Sequence, residues 1–446
     1  MQYIQSALFV LLLTLGVGYF ARNVKRLTRN IKLGKDIDRS DQKDVRLKNM
    51  MRIALGQSKM VKRPIAGALH IIVYLGFLII NIEVLEIIID GIFGTHRIFS
   101  FMGGFYDFLI GSFEVFAFAV LVCVIIFWTR RNVIKIKRFL SPEMEGWPKQ
   151  DGNMILYIEV VLMLLFLTMN AADYQLQVLQ DPHYFKGDNI VGSFPISSWL
   201  ILPLIQNFGA GTLIAIERVA WWIHIGGILG FLNYLYYSKH LHIILAFPNT
   251  YFGKLTAYGQ FTNDENVTKE VKMMMDPDAD PFAAPAEDES EEVAKFGASD
   301  VTDLNWVQLM NAYSCTECGR CTSECPANQT GKKLSPRKIM MDTRDRLEEV
   351  GRNMDANNGV FVPDNKQLLN DYISTEELWA CTTCNACVEA CPISIDPLSI
   401  INEMRRYLVM EESSAPSELN NMMGNIENNG APWPFNQMDR LNWSNE

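Results

Sequence analysis

The chain has 446 residues, 49% of them hydrophobic and 20% charged, with a net charge of −10 at pH 7. That length has room for two or three domains, and the acidic balance excludes a protein built to neutralise nucleic-acid phosphates. The averages conceal two unlike halves. Residues 1–245 carry long apolar runs, whereas the remainder is polar and acidic and holds every cysteine except Cys123.

The first apolar run, Tyr3 to Phe20, has no basic region before it and no small-residue cleavage site after it, so it reads as a retained anchor. Five runs are long and apolar enough to span a bilayer as helices: 3–20, 65–89, 107–128, 154–171 and 212–237. The connection 21–63 carries 14 Lys and Arg and 129–153 carries six, while 90–106 and 172–211 hold one each, Arg97 and Lys186. Positive loops stay inside. The expected protein is multi-pass in a bacterial inner (cytoplasmic) membrane, with its N-terminus outside and residues 238–446 in the cytoplasm. Cys123, mid-span in the third run, reads as a packed core residue.

Residues 275–295 are rich in Pro, Ala and acid, a composition that cannot bury a core and that suits a linker. Beyond them, 315–326 read CTECGRCTSECP and 381–392 read CTTCNACVEACP, each C-x2-C-x2-C-x3-C-P. Three thiolates at this spacing wrap one face of a cubane, and the fourth reaches the other cluster. Cys315, Cys318, Cys321 and Cys391 are therefore expected to hold one [4Fe–4S] cluster, and Cys381, Cys384, Cys387 and Cys325 a second. Pro326 and Pro392 turn the chain away after the fourth ligand. Disulfides are disfavoured in a reducing compartment, and zinc sites usually close with two paired ligands at a time. Between the motifs a helix is predicted from Ser335 (N-cap) and Pro336 to a stop at Gly351. Lys332, Lys333, Arg337 and Lys338 beside the first motif read either as a solvated helix start or as a docking patch for an acidic redox partner. After 412 the chain is rich in Asn and Pro, with Trp433 and Trp443 as anchors for a partner surface.

Of the six histidines, His96 and His183 fall in outer loops and read as surface residues. His70 lies near the inner end of the second span, His224 within the fifth, and His240 and His242 at its inner end. Imidazole inside a bilayer marks function unless it is merely hydrogen-bonded in packing. At about 100° per residue, His224 and His242 share one helix face and His240 falls roughly opposite, toward headgroups or solvent. The rise between His224 and His242 is about 27 Å, so they cannot ligate one iron. Each needs a partner from another helix, and His70 is available to either. A bis-histidine b-type haem is the expectation.

The run LHIIVYLGFLII around His70, and the pattern from His224 through SKHLHI, resemble the haem-b gamma subunit of respiratory nitrate reductase over the five-helix part. That resemblance implies one haem b held by His70 and His242. It implies a second haem only with a histidine ten residues after His70, and Ile80 stands there. From about Phe296 to Met410, the segments CTECGRCTSECPANQTGKKLSPR and EELWACTTCNACVEACPISIDPLSIINEMRRYL resemble heterodisulfide reductase-like membrane proteins. The combined architecture is similar to membrane-bound iron–sulfur oxidoreductases that link electron-transfer flavoprotein to quinone. Those proteins usually continue into a domain with two CCG repeats. This sequence has none before Glu446, so a separate CCG-repeat subunit is the expected partner.

The expected fold is mainly α: a five-helix transmembrane bundle (1–245), an acidic linker (246–297), an α-helical ferredoxin-like dicluster domain (298–412) and a partner-binding tail (413–446). The expected function is quinone-linked oxidoreduction, with electrons passing between a cytoplasmic partner, such as a flavoprotein, and menaquinone or ubiquinone. His224 and Glu83, with Asn81 nearby, are candidates for the quinone site. The competing readings are a membrane-anchored iron–sulfur scaffold and an ion-translocating subunit, the latter suggested by Glu83, Glu86, Glu114 and Glu159.

Overall fold

The computed structural model describes residues 2–185, 189–257, 259–277 and 295–445, so position 258 and positions 278–294 of the expected acidic linker lie outside the described residues. Among them the chain is helical, with no strand beyond isolated bridges. The labelled helices are α1 (Gln2–Ile31), α2 (Lys43–Met50), α3 (Pro64–Phe93), α4 (Gly104–Asn132), α5 (Trp147–Val178), α6 (Ala210–Tyr234) and α7 (His242–Tyr251). They continue with α8 (Trp306–Ser314), α9 (Arg320–Glu324), α10 (Pro336–Ala356), α11 (Ala386–Ala390), α12 (Pro397–Met410) and α13 (Ser417–Asn429).

Five helices are long and apolar enough to cross a membrane: Tyr3–Ile31, Pro64–Phe93, Gly104–Asn132, Trp147–Val178 and Ala210–Tyr237. Each contains one of the expected runs. The chain is a membrane protein whose exposed apolar side chains, such as Leu15, Phe77, Ile125 and Val161, face outward as lipid-facing residues do. α1 is the peripheral helix. Phe9 anchors it by filling a notch that only glycine leaves open, because a Cβ on Gly91 would lie 2.6 Å from the Phe9 ring. α1 also continues eleven residues past the apolar run, since hydropathy ends at the lipid boundary while backbone hydrogen bonding does not.

The cluster domain sits directly on one end of the bundle, and many joints are made by residues expected to be a bare basic loop. Lys35 pairs through its backbone with Leu304 and Trp306. Arg63 bonds Ser323 and Glu324, and Lys59 donates to the Val388 carbonyl at 3.2 Å. The positive charge that should keep these loops inside also fastens the domain to them.

Three expectations change here. The basic patch at 332–338 is not a free docking surface: Arg337 is fully buried and pairs with Glu143 at 2.7 Å, while Lys338 bonds Asp342 and Glu377. Lys332 and Lys333 alone of the four are exposed. Ser335 does cap α10 and Pro336 opens it, but the helix runs through Gly351 to Ala356. Gly351 is instead where α1 crosses, since a Cβ there would lie 2.5 Å from the Asn30 side chain. Finally, the expected boundary at 245 falls inside α7, whose Asn249 donates to the Ile393 carbonyl at 2.8 Å.

Removing one partner of a buried ion pair leaves the other charge uncompensated, at a cost of about 3–5 kcal/mol. Arg337→Met should therefore loosen the cluster domain from the 129–146 loop, whereas Lys332→Ala should not. Limited proteolysis and thermal unfolding in detergent compare the two. Equal resistance in both variants would refute the joint.

Candidate functional site

The two cysteine motifs fold alike. Each has a positive φ two residues after its first cysteine (Glu317, 55°; Thr383, 55°) and again two residues later (Gly319, 71°; Asn385, 60°). These left-handed positions curl the backbone so that successive thiols turn inward, a conformation that Gly and Asn tolerate best. One helical turn follows, α9 or α11, and the fourth cysteine is extended (Cys325 φ −75°, Cys391 φ −69°). α9 and α11 pack against each other, so each motif's last cysteine points into the other motif.

One cavity is lined by Cys381, Cys384 and Cys387 together with Cys325. On the other side Cys391 acts electrostatically on Cys315 and Cys321 and is itself acted on by Cys318. Among the described residues no three His, Cys, Asp or Glu converge tightly enough for a single metal ion, and all nine cysteines are free. Burial pushes the Cys315 thiol up to about 12 and the Cys391 thiol up to about 11. Iron must therefore displace their protons, which couples cluster assembly to proton release. Cys384 is exposed and Cys315 is buried, so the second motif faces solvent and the first faces the bundle.

Below the first motif lie three histidines. The His70 and His242 rings face each other with centroids 6.4 Å apart and planes inclined by 45°. Two imidazoles on opposite sides of one metal, with metal–nitrogen bonds of about 2 Å, place their ring centres about 6 Å apart. His242 Nδ1 lies 3.1 Å from the Lys239 carbonyl, which fixes the tautomer and leaves Nε2 free as a ligand. Burial pushes the His242 imidazole down, toward the neutral form a metal requires. His70 Nδ1 and the Tyr74 hydroxyl, one turn further along α3, are buried without partners. His70 and His242, as two neutral imidazoles 6.4 Å apart, are a donor set that would suit a haem iron.

His240 does not turn away as expected. Its ring meets His242 edge-on at 5.4 Å and packs on Phe231. The helical-face arithmetic fails because α6 ends at Tyr234 and two 3-10 turns, Leu235–Tyr237 and Lys239–Leu241, precede α7. Arg320, between Gly319 and Cys321, reaches toward both centres. Its guanidinium donates to the Lys59 and Met60 carbonyls, and its charge acts on His70 and interacts with Cys318 and Cys391. Lys239 ion-pairs with Glu317. Burial opposes ionisation of Glu317, but Lys239 and Arg344 outweigh it and hold its carboxyl below the usual range. The sequence hinted at Arg320 and Glu317 only through their places inside the first motif.

The quinone-site candidates are dispersed. His224 is 2% exposed, packs on Phe166 with centroids 6.0 Å apart, turns toward the Leu162 backbone and leaves Nδ1 unpartnered. Ile80 is buried in the same bundle core as Phe166. Glu83 is 3% exposed and lies instead in the electrostatic reach of Arg97, Glu86, Glu114 and Asp173. Asn81 is exposed on the outside of α3 and bonds its own helix backbone, because two residues of helix rotate it away from Glu83. His96 is not a plain surface residue: it pairs with Asp173 at 3.5 Å and stacks on exposed His183.

A family model for a 4Fe-4S dicluster domain matches residues 314–395. The chain is 28% identical over 474 aligned positions to a probable iron-sulfur-binding oxidoreductase, FadF, of Bacillus subtilis, covering 99% of this chain and 61% of that protein. It is 25% identical over 437 positions to an EtfAB:quinone oxidoreductase of Syntrophomonas wolfei, covering 92% of this chain and 55% of that one. Over 128 positions it is 34% identical to one polypeptide of a ferredoxin/F(420)H(2)-dependent CoB-CoM heterodisulfide reductase of Methanosarcina acetivorans, covering 28% of this chain and 60% of that polypeptide. The chain thus spans less than two thirds of the length of these relatives. No solved structure matches.

If the fourth cysteines are exchanged, Cys325→Ala should damage the cluster bound mainly by the second motif, and Cys391→Ala the one bound by the first. EPR of each reduced variant distinguishes the two signals, and loss confined to a variant's own motif would sink the exchange. The chain thus joins a 4Fe-4S dicluster domain to five helices long and apolar enough to cross a membrane, and along most of its length it is similar to a probable iron-sulfur-binding oxidoreductase and to an EtfAB:quinone oxidoreductase.

Proposed function

We propose that the chain is the conduit between a redox partner on the cluster-domain side and the quinone pool, with that side facing the cytoplasm. The observation that carries the reading is the His70–His242 pair, set 6.4 Å apart directly beneath the first cysteine motif. His70 and His242 would be the axial ligands of one haem b. Cys315, Cys318, Cys321 and Cys391 would hold the inner cluster, and Cys381, Cys384, Cys387 and Cys325 the outer one. When bound, these groups supply one-electron carriers between a two-electron partner and quinone.

The chain's own residues set the order. Exposed Cys384 puts the second motif at the surface, where a partner can approach. A separate CCG-repeat subunit fits that role, with electron-transfer flavoprotein as its ultimate donor; the relative from Syntrophomonas wolfei is named for that flavoprotein. The exposed tail bearing Trp433 and Trp443 offers it apolar anchors. Arg320 and Lys239 bridge the first motif to the histidines. Quinone, menaquinone or ubiquinone, would sit beside His224, where Nδ1 is buried without a partner and Phe166 and Ile80 belong to one apolar core. His224 would bond a quinone carbonyl, and Glu83, one turn beyond Ile80, would handle its protons.

His70→Ala and His242→Ala should each abolish the low-spin b-type absorption of the purified protein. Retention of that band in His70→Ala would end the assignment. His224→Leu should leave the haem reducible from the clusters while its reoxidation by added quinone slows about 10²-fold, the low end of what a positioned proton-handling side chain contributes. Unchanged reoxidation would exclude His224 from the quinone site.

A further inference from the structure

The end of the bundle remote from the cluster domain holds a second polar constellation that electron transfer does not use. Glu83 and Glu86 on α3, Glu114 on α4 and Asp173 on α5 are all buried. Arg97, itself buried, donates to Asp173 at 2.6 Å, to the Asn170 side-chain carbonyl at 3.1 Å and to the Tyr106 hydroxyl at 3.1 Å. Glu114 accepts from the Ile196 and Ser197 amides at 2.9 and 3.0 Å, from Asn170 at 3.2 Å and from the Ser197 hydroxyl. Glu86 accepts from the Phe99 amide and the Tyr106 hydroxyl, both at 2.8 Å.

Glu83 differs from the other three. Its Oε2 is buried with no hydrogen-bond partner, though the charges of Arg97, Glu86, Glu114 and Asp173 all act on it. Among the described residues Glu83, Glu86 and Asp173 thus share the charge of Arg97, with His96 beside Asp173 and Arg218, paired with Glu217, also acting on Asp173. Arg97 is committed to Asp173. An ionised carboxylate with no donor among apolar side chains and like charges is the costly form, and a neutral acid is the stable one.

We propose that Glu83 is a proton-holding group, neutral at rest, and that the network around it joins it to water on the remote face. Protons exchanged in quinone chemistry enter and leave there; this use rests on the quinone reading above, whereas the protonated site itself does not. Glu86 lies one turn along the same face of α3. Tyr106 donates to Glu86, Arg97 keeps its own protons and holds Tyr106 and Asp173 together, and His96 and exposed His183 lie beside Asp173. Quinone reduction takes two electrons delivered through the chain and two protons through this network, giving quinol. Quinol oxidation returns both protons by the same route.

The test is infrared spectroscopy of the full chain in lipid nanodiscs without quinone, in H2O and D2O. A protonated-carboxyl stretch that shifts on deuteration should vanish in Glu83→Gln, an isosteric neutral variant that preserves packing, and persist in Glu86→Gln. A band that survives Glu83→Gln, or is lost in Glu86→Gln instead, overturns the assignment. In proteoliposomes containing menaquinone, with a membrane-impermeant pH dye on the remote side, Glu83→Gln should slow proton uptake at least about tenfold. Cluster-to-haem reduction should keep its rate. Unchanged proton uptake overturns the route. If the wild type reduces no quinone yet the band still depends on Glu83, the quinone reading falls and the proton site stands.

Discussion

Lys239 holds the two halves of the molecule in register. Its carbonyl takes the Nδ1 of His242, and its ammonium lies between Glu317 of the first cysteine motif and Asp151 at the start of α5. Burial pulls its pKa down, and the two carboxylates oppose that pull. A buried ammonium is tolerable only when such partners are in place, so the ion group fixes three elements at once: the ring of a histidine, the curl of a cysteine loop and the end of a spanning helix. Arg344, which also grips Glu317, ties α10 to the same point. Rigid supports of this kind set the spacing between redox centres more reliably than loops do.

The spans and the dicluster domain were legible in the sequence because each rests on a short-range rule: an unbroken apolar run, or a fixed thiol spacing. The curl of the two motifs was not read from the sequence, although Gly319 and Asn385, at matching places, occupy the left-handed positions it requires. What the sequence hid was long-range. Gly351 looked like a helix stop, and only the crossing of α1 explains it. Arg337 looked like surface charge, and only Glu143, nearly two hundred residues away, makes it a core residue. The face assigned to His240 failed because two 3-10 turns interrupt the helix, and local propensity gives no warning of them.

The two ends of the bundle divide their polar chemistry. Near the cluster domain the charged groups are chiefly basic and paired with acidic residues of that domain. At the remote end, among the described residues, buried carboxyls outnumber the two arginines, Arg97 and Arg218, that act on them. Between lies an apolar core of Phe9, Phe113, Phe166, Ile225 and their neighbours, with His224 the polar group turned into it. A redox-active lipid would meet hydrocarbon on most sides and very few donors there, which is how binding sites usually combine affinity with orientation.

The bridge between Lys35 and Asn305 has a consequence for biogenesis. Its partners are separated by most of the chain, so the first helix enters the membrane long before the residues that will clasp its stalk are synthesised. Until then the stalk and the 32–63 loop present their cations to the lipid surface, whose anionic headgroups can hold them provisionally. Joining the halves exchanges those lipid contacts for Asp355, Glu324 and Glu389. The cysteine loops adjoin the same seam, through the contacts of Lys59 with Val388, Arg63 with Ser323 and Arg320 with the Lys59 carbonyl.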